Sequence, residues 1–164
     1  GQPFFAQINF TAPHKGPAFV AARKQVRLVD PNKVELPPYH PDHPVVRDEH
    51  ANYLDAINLL DTQVGAVLDS LKREGELDNT IIFFFGDNGR CLLRGKQWLY
   101  DPGTHIPCIV RYPGVVNKGG VRTDLSLAID MTAQTLEWAG VPIPSGFHGQ
   151  PMFGARHQDR SHIF

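Results

Sequence analysis

The sequence predicts an α/β fold, a sheet flanked by helices, and three features point there. The apolar run Phe83-Phe84-Phe85 stops abruptly at Gly86-Asp87-Asn88-Gly89, as a buried strand does when it delivers polar groups to the edge of a parallel sheet. Residues 47–74 carry Leu54, Ile57, Leu60, Val64, Val67, Leu68 and Leu71 at helical spacing. Strand-like runs flank this helix on both sides, at residues 3–10 and 80–85, so a right-handed crossover between parallel strands is the expected connection.

In chain order, residues 3–10 (PFFAQINF) are rich in aromatic and aliphatic side chains and read as a strand, ended by Pro13, which cannot continue a central ladder. Residues 15–46 are proline-rich and weakly periodic, a long surface excursion with one short helical piece. The helix over 47–74 closes with Lys72 and Arg73 in its last turn, where cations suit the dipole, and Gly75 follows. Asp78-Asn79 turns the chain into the strand at 80–85. Residues 86–104 form a loop bearing Arg90, Arg94, Lys96 and Tyr100, and residues 106–112 make a third strand closed by Pro113-Gly114. Residues 125–129 are expected as a short fourth strand. Asp130 is expected to cap a helix over 131–139 that ends at Gly140 and Pro142. The tail from 144 reads as loop, with 161–164 beginning another strand.

Composition narrows the function classes. The 164 residues suffice for one domain with its own core, and 41% apolar and 20% charged residues are ordinary for a globular protein. A net charge of −1 without a basic stripe gives nucleic-acid binding no electrostatic footprint. No apolar run approaches the length of a membrane span. The chain opens with Gly1-Gln2-Pro3, without signal-peptide pattern or initiator Met, so residue 1 is not expected to be the natural start. Cys91 and Cys108 fit neither a disulfide framework nor a zinc spacing and are expected as free thiols.

Chemistry concentrates around Asp87-Asn88. The pair offers two hard oxygens to a cation such as calcium, although an Asp-Asn-Gly turn needs no ligand to explain it. If the strands at 3–10 and 80–85 are parallel, their C-terminal ends share one edge, where open α/β sheets bind ligands. His14 would then join Asp87, Asn88 and Lys96 from distant parts of the chain. Arg90 and Arg94 read as loop-ordering or substrate-rim groups. His40, His43 and His50 are too irregularly spaced to read as a metal triad. Asn9-Phe10-Thr11 matches a glycosylation sequon, expected to be unused on a buried strand.

Several blocks occur together in one order: Pro3-Phe4-Phe5 through Ala12-Pro13-His14; Tyr53-Leu54-Asp55 with Leu60-Asp61 and Val64-Gly65; Leu77-Asp78-Asn79-Thr80 into Gly86-Asp87-Asn88-Gly89; Gly95-Lys96 with Tyr100; Pro107 with Val110-Arg111-Tyr112-Pro113-Gly114; and residues 130–140. In this order the chain resembles the sulfatase family of the alkaline-phosphatase-like superfamily, closest to the branch of arylsulfatase-like enzymes and heparan N-sulfatase. The resemblance implies a mostly parallel sheet flanked by helices, incomplete here, and hydrolysis of a sulfate ester or sulfamate on a small molecule or glycan. It implies a formylglycine nucleophile made from a Cys or Ser in a C/S-x-P-x-R motif, and one divalent cation, usually calcium. By position, Asp87 and Asn88 resemble the cation ligands, Lys96 the sulfate-binding lysine, His14 the histidine at the sulfate and leaving group, and Arg94 a substrate contact. An amide at Asn88 suits a hard cation, whereas the zinc phosphatase-like relatives tend to place histidine there.

The departures from the family pattern are specific. No formylglycine motif is present, since Cys91-Leu92-Leu93-Arg94 has the wrong spacing and lacks the proline, and the paired aspartates that complete the cation site are missing. Residues 101–105 (DPGTH) replace a glycine-rich, arginine-containing stretch. Residues 1–164 are therefore expected to be one partial catalytic domain, its nucleophile-bearing part upstream, and to be inactive alone. A truncated sheet is expected to leave an unpaired edge open to self-association. The family resemblance favours a periplasmic, extracellular or lysosomal setting. The alternatives are a phosphodiesterase or phosphonate hydrolase of the same superfamily, which would want two zinc ions, and a non-catalytic module binding anions or calcium.

Overall fold

In a computed structural model, which describes residues 2–163, the chain folds as two units. The first comprises residues 2–80 and Asn88–Ile106; the second comprises Ile81–Asp87 and residues 107–163.

The first unit is helical. Helix α1, Pro17–Gln25, starts with proline in its first turn, where the missing N–H costs nothing. Helix α2, Pro44–Arg73, also begins on proline, and the His43 side chain accepts a hydrogen bond from the Val45 amide (3.2 Å). Its end matches the expectation: Lys72 and Arg73 fill the last turn, and Gly75 takes the left-handed backbone (φ 74°) that reverses the chain. The two helices pack through Phe19, Ala22 and Ala56, with Tyr53, Leu59 and Cys91 around them. Small residues at the crossing let the helix backbones approach closely. The buried stripe of α2 is His50, Ala51, Asp55 and Ala56, while Leu54, expected inside, is exposed. Asp55 is fully buried because it works for the backbone: its carboxylate accepts from the amides of Leu28 (2.9 Å) and Val29 (3.1 Å) and faces Arg23 (3.4 Å). It thereby ties down the excursion after α1, which also holds a 3-10 turn, Pro31–Lys33.

Residues 3–10 are not a strand. They belong to no ladder, and Phe4, Phe5 and Ile8 are exposed. Apolar composition favours a strand only when a partner satisfies its backbone. Asn9 is likewise exposed, so burial gives no reason for its sequon to go unused.

The second unit holds the ladder found among the described residues. Strand β1, Ile82–Phe85, pairs antiparallel with β2, Cys108–Arg111, in the register Ile82↔Arg111 through Phe85↔Cys108. The expected parallel pairing of 3–10 with 80–85 is therefore not formed. Helix α4, Ala128–Trp138, begins three residues earlier than expected and absorbs the end of the fourth strand expected at 125–129, whose first three residues form no strand. Asp130 is not its cap residue. It lies in the first turn and reaches back to accept from the Leu127 amide (2.7 Å). Trp138 gathers Phe83, Tyr112 and Phe153 at ring separations of 5.7, 4.9 and 5.5 Å. The tail is pinned by polar groups of α4: Asp130 accepts from the Gln150 amide (2.9 Å) and pairs with Arg160, and Gln134 accepts from the Phe153 amide (2.7 Å). Residues 161–163 form no strand, and Phe164 lies outside the described residues. No helix among the described residues is long and apolar enough to cross a membrane.

Candidate active site

Asn88, Arg94 and Lys96 lie on one loop of the first unit, residues 88–106, whose shape is fixed by glycine. A side chain at Gly95 would meet the Arg90 carbonyl oxygen at 2.0 Å, and one at Gly89 would meet the Pro102 carbonyl oxygen at 1.9 Å. Only glycine allows such backbone-on-backbone approach. Hydrogen bonds use the space: the Lys96 amide donates to the Arg90 carbonyl (2.7 Å), the Gly95 amide to Leu92 (2.9 Å) and the Gly89 amide to Gly103 (3.0 Å). A single helical turn, α3, Asp101–Thr104, closes the loop. The sequence DPGTH that departs from the family pattern thus includes this turn, and the His105 amide donates to Asp101 (2.8 Å).

Lys96 is half-buried, and no carboxylate among the described residues pairs with its ammonium. Asn88 is half-buried; its side-chain N–H donates to the Gly89 carbonyl (2.8 Å), which leaves its amide oxygen available. His14 is exposed on the turn before α1, where its amide donates to the Thr11 carbonyl (3.0 Å). The Cys91 thiol faces the Pro13 carbonyl at 3.9 Å, bringing the loop against the residue before His14. Within the first unit, the loop that carries Asn88 and Lys96 thus meets the segment that bears His14 at the Cys91–Pro13 contact, without any parallel strand. Asp87 is exposed and belongs to the second unit. Both cysteines are free, as expected.

The excursion contributes more than its sequence promised. The Arg90 guanidinium donates to the Tyr39 hydroxyl (2.7 Å), and His40 Nε2 meets the Leu93 carbonyl (3.4 Å). His40 and His50, irregularly spaced in sequence, lie in contact, with His50 Nε2 2.8 Å from His40 Nδ1. Because a carbonyl only accepts, His40 donates from Nε2, and the neutral imidazole with that tautomer would accept at Nδ1 from His50 Nε2–H. Burial, helped by the neighbouring His40 and Arg90, holds the His50 pKa below the usual histidine value, against an opposing pull from Glu49. The His50 imidazole is thereby biased toward its neutral form. Sequence spacing missed this pair because it is made by the fold of residues 37–41 over α2.

Among the described residues, no three of His, Cys, Asp or Glu gather as a metal cluster. Asp87 and Asn88 supply oxygen donors of the type calcium prefers, but two residues fall short of the six to eight oxygens it takes. The donor chemistry fits a hard cation, but these two residues do not by themselves make a site for one.

The sequence model of the sulfatase family matches residues 1–141. The chain belongs to the sulfatase family. It is 33% identical over 164 residues to an ulvan-active sulfatase of Formosa agariphila, across 99% of this chain and 28% of that protein. It is 32% identical over 117 residues to the N-sulphoglucosamine sulphohydrolase of Homo sapiens, across 71% of this chain and 23% of that protein. A solved structure in complex with its substrate D-glucosamine-2-N,6-O-disulfate superimposes with a TM-score of 0.58 at 28% identity, covering 66% of this chain and 24% of the other. The chain is thus an incomplete alkaline-phosphatase-like α/β fold and spans about a quarter of the length of these sulfatases.

Proposed function

We propose that the intact protein containing this chain hydrolyses sulfate esters or sulfamates of sulfated sugars or small molecules, and that residues 1–164 form one part of its catalytic domain. The observation that carries this reading is the glycine-locked loop of a sulfatase-family chain presenting Asn88 and an unpaired Lys96 together, with the segment bearing His14 against it. The formylglycine nucleophile of the family would come from outside these residues, and Asp87 with Asn88 would supply two of the ligands of a calcium ion. Such an ion, when bound, supplies positive charge against the sulfate oxygens.

The chain's own residues complete the chemistry. Sulfate transfer concentrates negative charge on oxygen, and the Lys96 ammonium, carried by a backbone that the Arg90–Lys96 bond holds in place, offsets it. His14 would serve as the general acid that gives a proton to the departing oxygen or nitrogen.

The test is turnover of a chromogenic aryl sulfate and of sulfated glucosamines by the full-length protein, with metal analysis. One calcium per protein, activity abolished by chelation, and a loss of roughly a hundredfold or more in kcat for Lys96→Ala are expected. Two zinc ions and preference for a phosphodiester would replace this reading with that of a phosphoryl-transfer relative. The isolated 164-residue chain is expected to show no turnover, and calcium- and Lys96-dependent hydrolysis by it alone would overturn the assignment of the nucleophile to another segment.

A further inference from the structure

Arg94 differs from most arginines of this chain. Arg23, Arg47, Arg122, Arg156 and Arg160 each neutralise a carboxylate. Arg94 meets none among the described residues; its guanidinium lies 4.8 Å from the centre of the Tyr39 ring and 5.1 Å from that of Tyr100. The residue is exposed, and its backbone takes the left-handed conformation (φ 59°), rarely adopted by a residue with a side chain. Backbone strain of this kind persists where surrounding structure enforces it and clusters at ligand-binding sites. Here the Gly95 approach to Arg90 enforces it from one side. The Arg90 bond to the Tyr39 hydroxyl steadies one of the rings.

Two tyrosine rings stand within cation–π distance of the guanidinium, and its N–H donors meet no carboxylate among the described residues. Those donors match the paired oxygens of a sulfate or carboxylate, and a side chain already held in place loses little entropy on binding. Arg94 precedes Lys96 by two residues, so their Cα atoms are at most about 7 Å apart, a distance that a mono- or disaccharide spans. We propose that Arg94, its guanidinium over the rings of Tyr39 and Tyr100, is a specificity-determining residue that binds a second anionic group, sulfate or carboxylate, of a polyanionic sugar whose reacting sulfate lies at Lys96. This inference rests on the proposed function for the position of the reacting sulfate.

The experiment compares the full-length protein with Arg94→Ala, Arg94→Lys and Tyr39→Leu variants. The substrates are a monosulfated glucosamine, a disulfated glucosamine and a monosulfated disaccharide carrying a uronate. The ratio of kcat/KM for a polyanionic substrate over the monosulfated sugar is expected to fall roughly tenfold to a hundredfold in Arg94→Ala, mainly through KM. Arg94→Lys should recover only part of it, because charge without the planar fork does not restore paired hydrogen bonding. Tyr39→Leu should lower the ratio in the same direction. A loss confined to the disulfated sugar names sulfate as the group, and one confined to the uronate names carboxylate. An equal loss on all three substrates would overturn the proposal and leave Arg94 as a loop-ordering residue, with the sulfatase reading intact. Calorimetric binding of the same sugars decides the matter without turnover: a selective loss of affinity for the polyanions supports the subsite, and equal affinities refute it. If the wild-type protein hydrolyses none of them, the proposed function fails while the binding measurement still judges Arg94.

Discussion

Two irregular segments, one in each unit, are held by different means. In the first, the loop 88–106 keeps its shape through backbone-on-backbone contacts that exclude side chains at Gly89 and Gly95. In the second, the tail after α4 is held by buried polar side chains, Asp130 and Gln134, which accept hydrogen bonds from tail amides. A steric lock fixes positions tightly and spends no charged group, so Lys96 and Arg94 remain without carboxylate partners. A polar anchor binds just as firmly but consumes its charges internally, as Asp130 does with Arg160. The first arrangement leaves the loop's cations free of internal partners; the second uses its charges for structure.

The largest expected effect that breaks this contrast is at the anchor. Asp130→Ala in the intact protein would leave Arg160 and two amides without their acceptor, and should cost about 3–5 kcal/mol in denaturant unfolding. Hydrogen exchange should show the loss centred on α4 and the tail. The lock comes next. Gly95→Ala forces a methyl group against the Arg90 carbonyl and should cost on the order of 1–3 kcal/mol, with Lys96-dependent activity falling alongside. If Gly95→Ala proves neutral while retaining activity, the loop is not locked as described.

A smaller effect sharpens the comparison through pH. His50 has its folded pKa lowered, so the unfolded chain binds the proton first. The first unit should lose stability as pH falls below about 6.5, the ordinary histidine value. His50→Gln should flatten that slope. Asp130 behaves differently. Burial pushes its pKa up, but Arg160 and the amides of Gln150 and Leu127 outweigh it and hold the carboxyl below the usual range. Its contribution is present above the unfolded value near 3.8 and is lost as pH falls through the lower folded value. Hydrogen exchange at pH 5.5 should therefore loosen the first unit while the second stays protected. Loss of protection in the second unit at that pH would contradict the assignment.

Much of the architecture was legible. The long helix follows from leucine and valine spacing, its end from Lys72, Arg73 and Gly75, and both strands from short apolar runs bounded by turn residues. The content of its buried face was not, because Ala51, Asp55 and Ala56 are inside for reasons that hydropathy does not carry: a close helix crossing and two amides needing an acceptor. Residues 3–10 read as a strand because apolar composition reports a tendency to pair without reporting a partner. Asp130 was legible as a helix-start residue, and its position inside the first turn depends on an Arg160 thirty residues away.

The sequence by itself determined the family, the helix that organises the first unit, and the residue types available for chemistry: an acid–amide pair, a lysine, a histidine and an arginine. These are local patterns, set by spacing and side-chain character within a few residues. The tertiary structure alone decided that the segment bearing His14 meets the loop of Lys96, that His40 finds His50, and that two tyrosines sixty-one residues apart in the chain close on Arg94. Such meetings depend on how closely far-separated backbone can approach, and here the absence of a side chain at Gly89 and Gly95 and a handful of buried acceptors settle it in ways that no single stretch of sequence encodes.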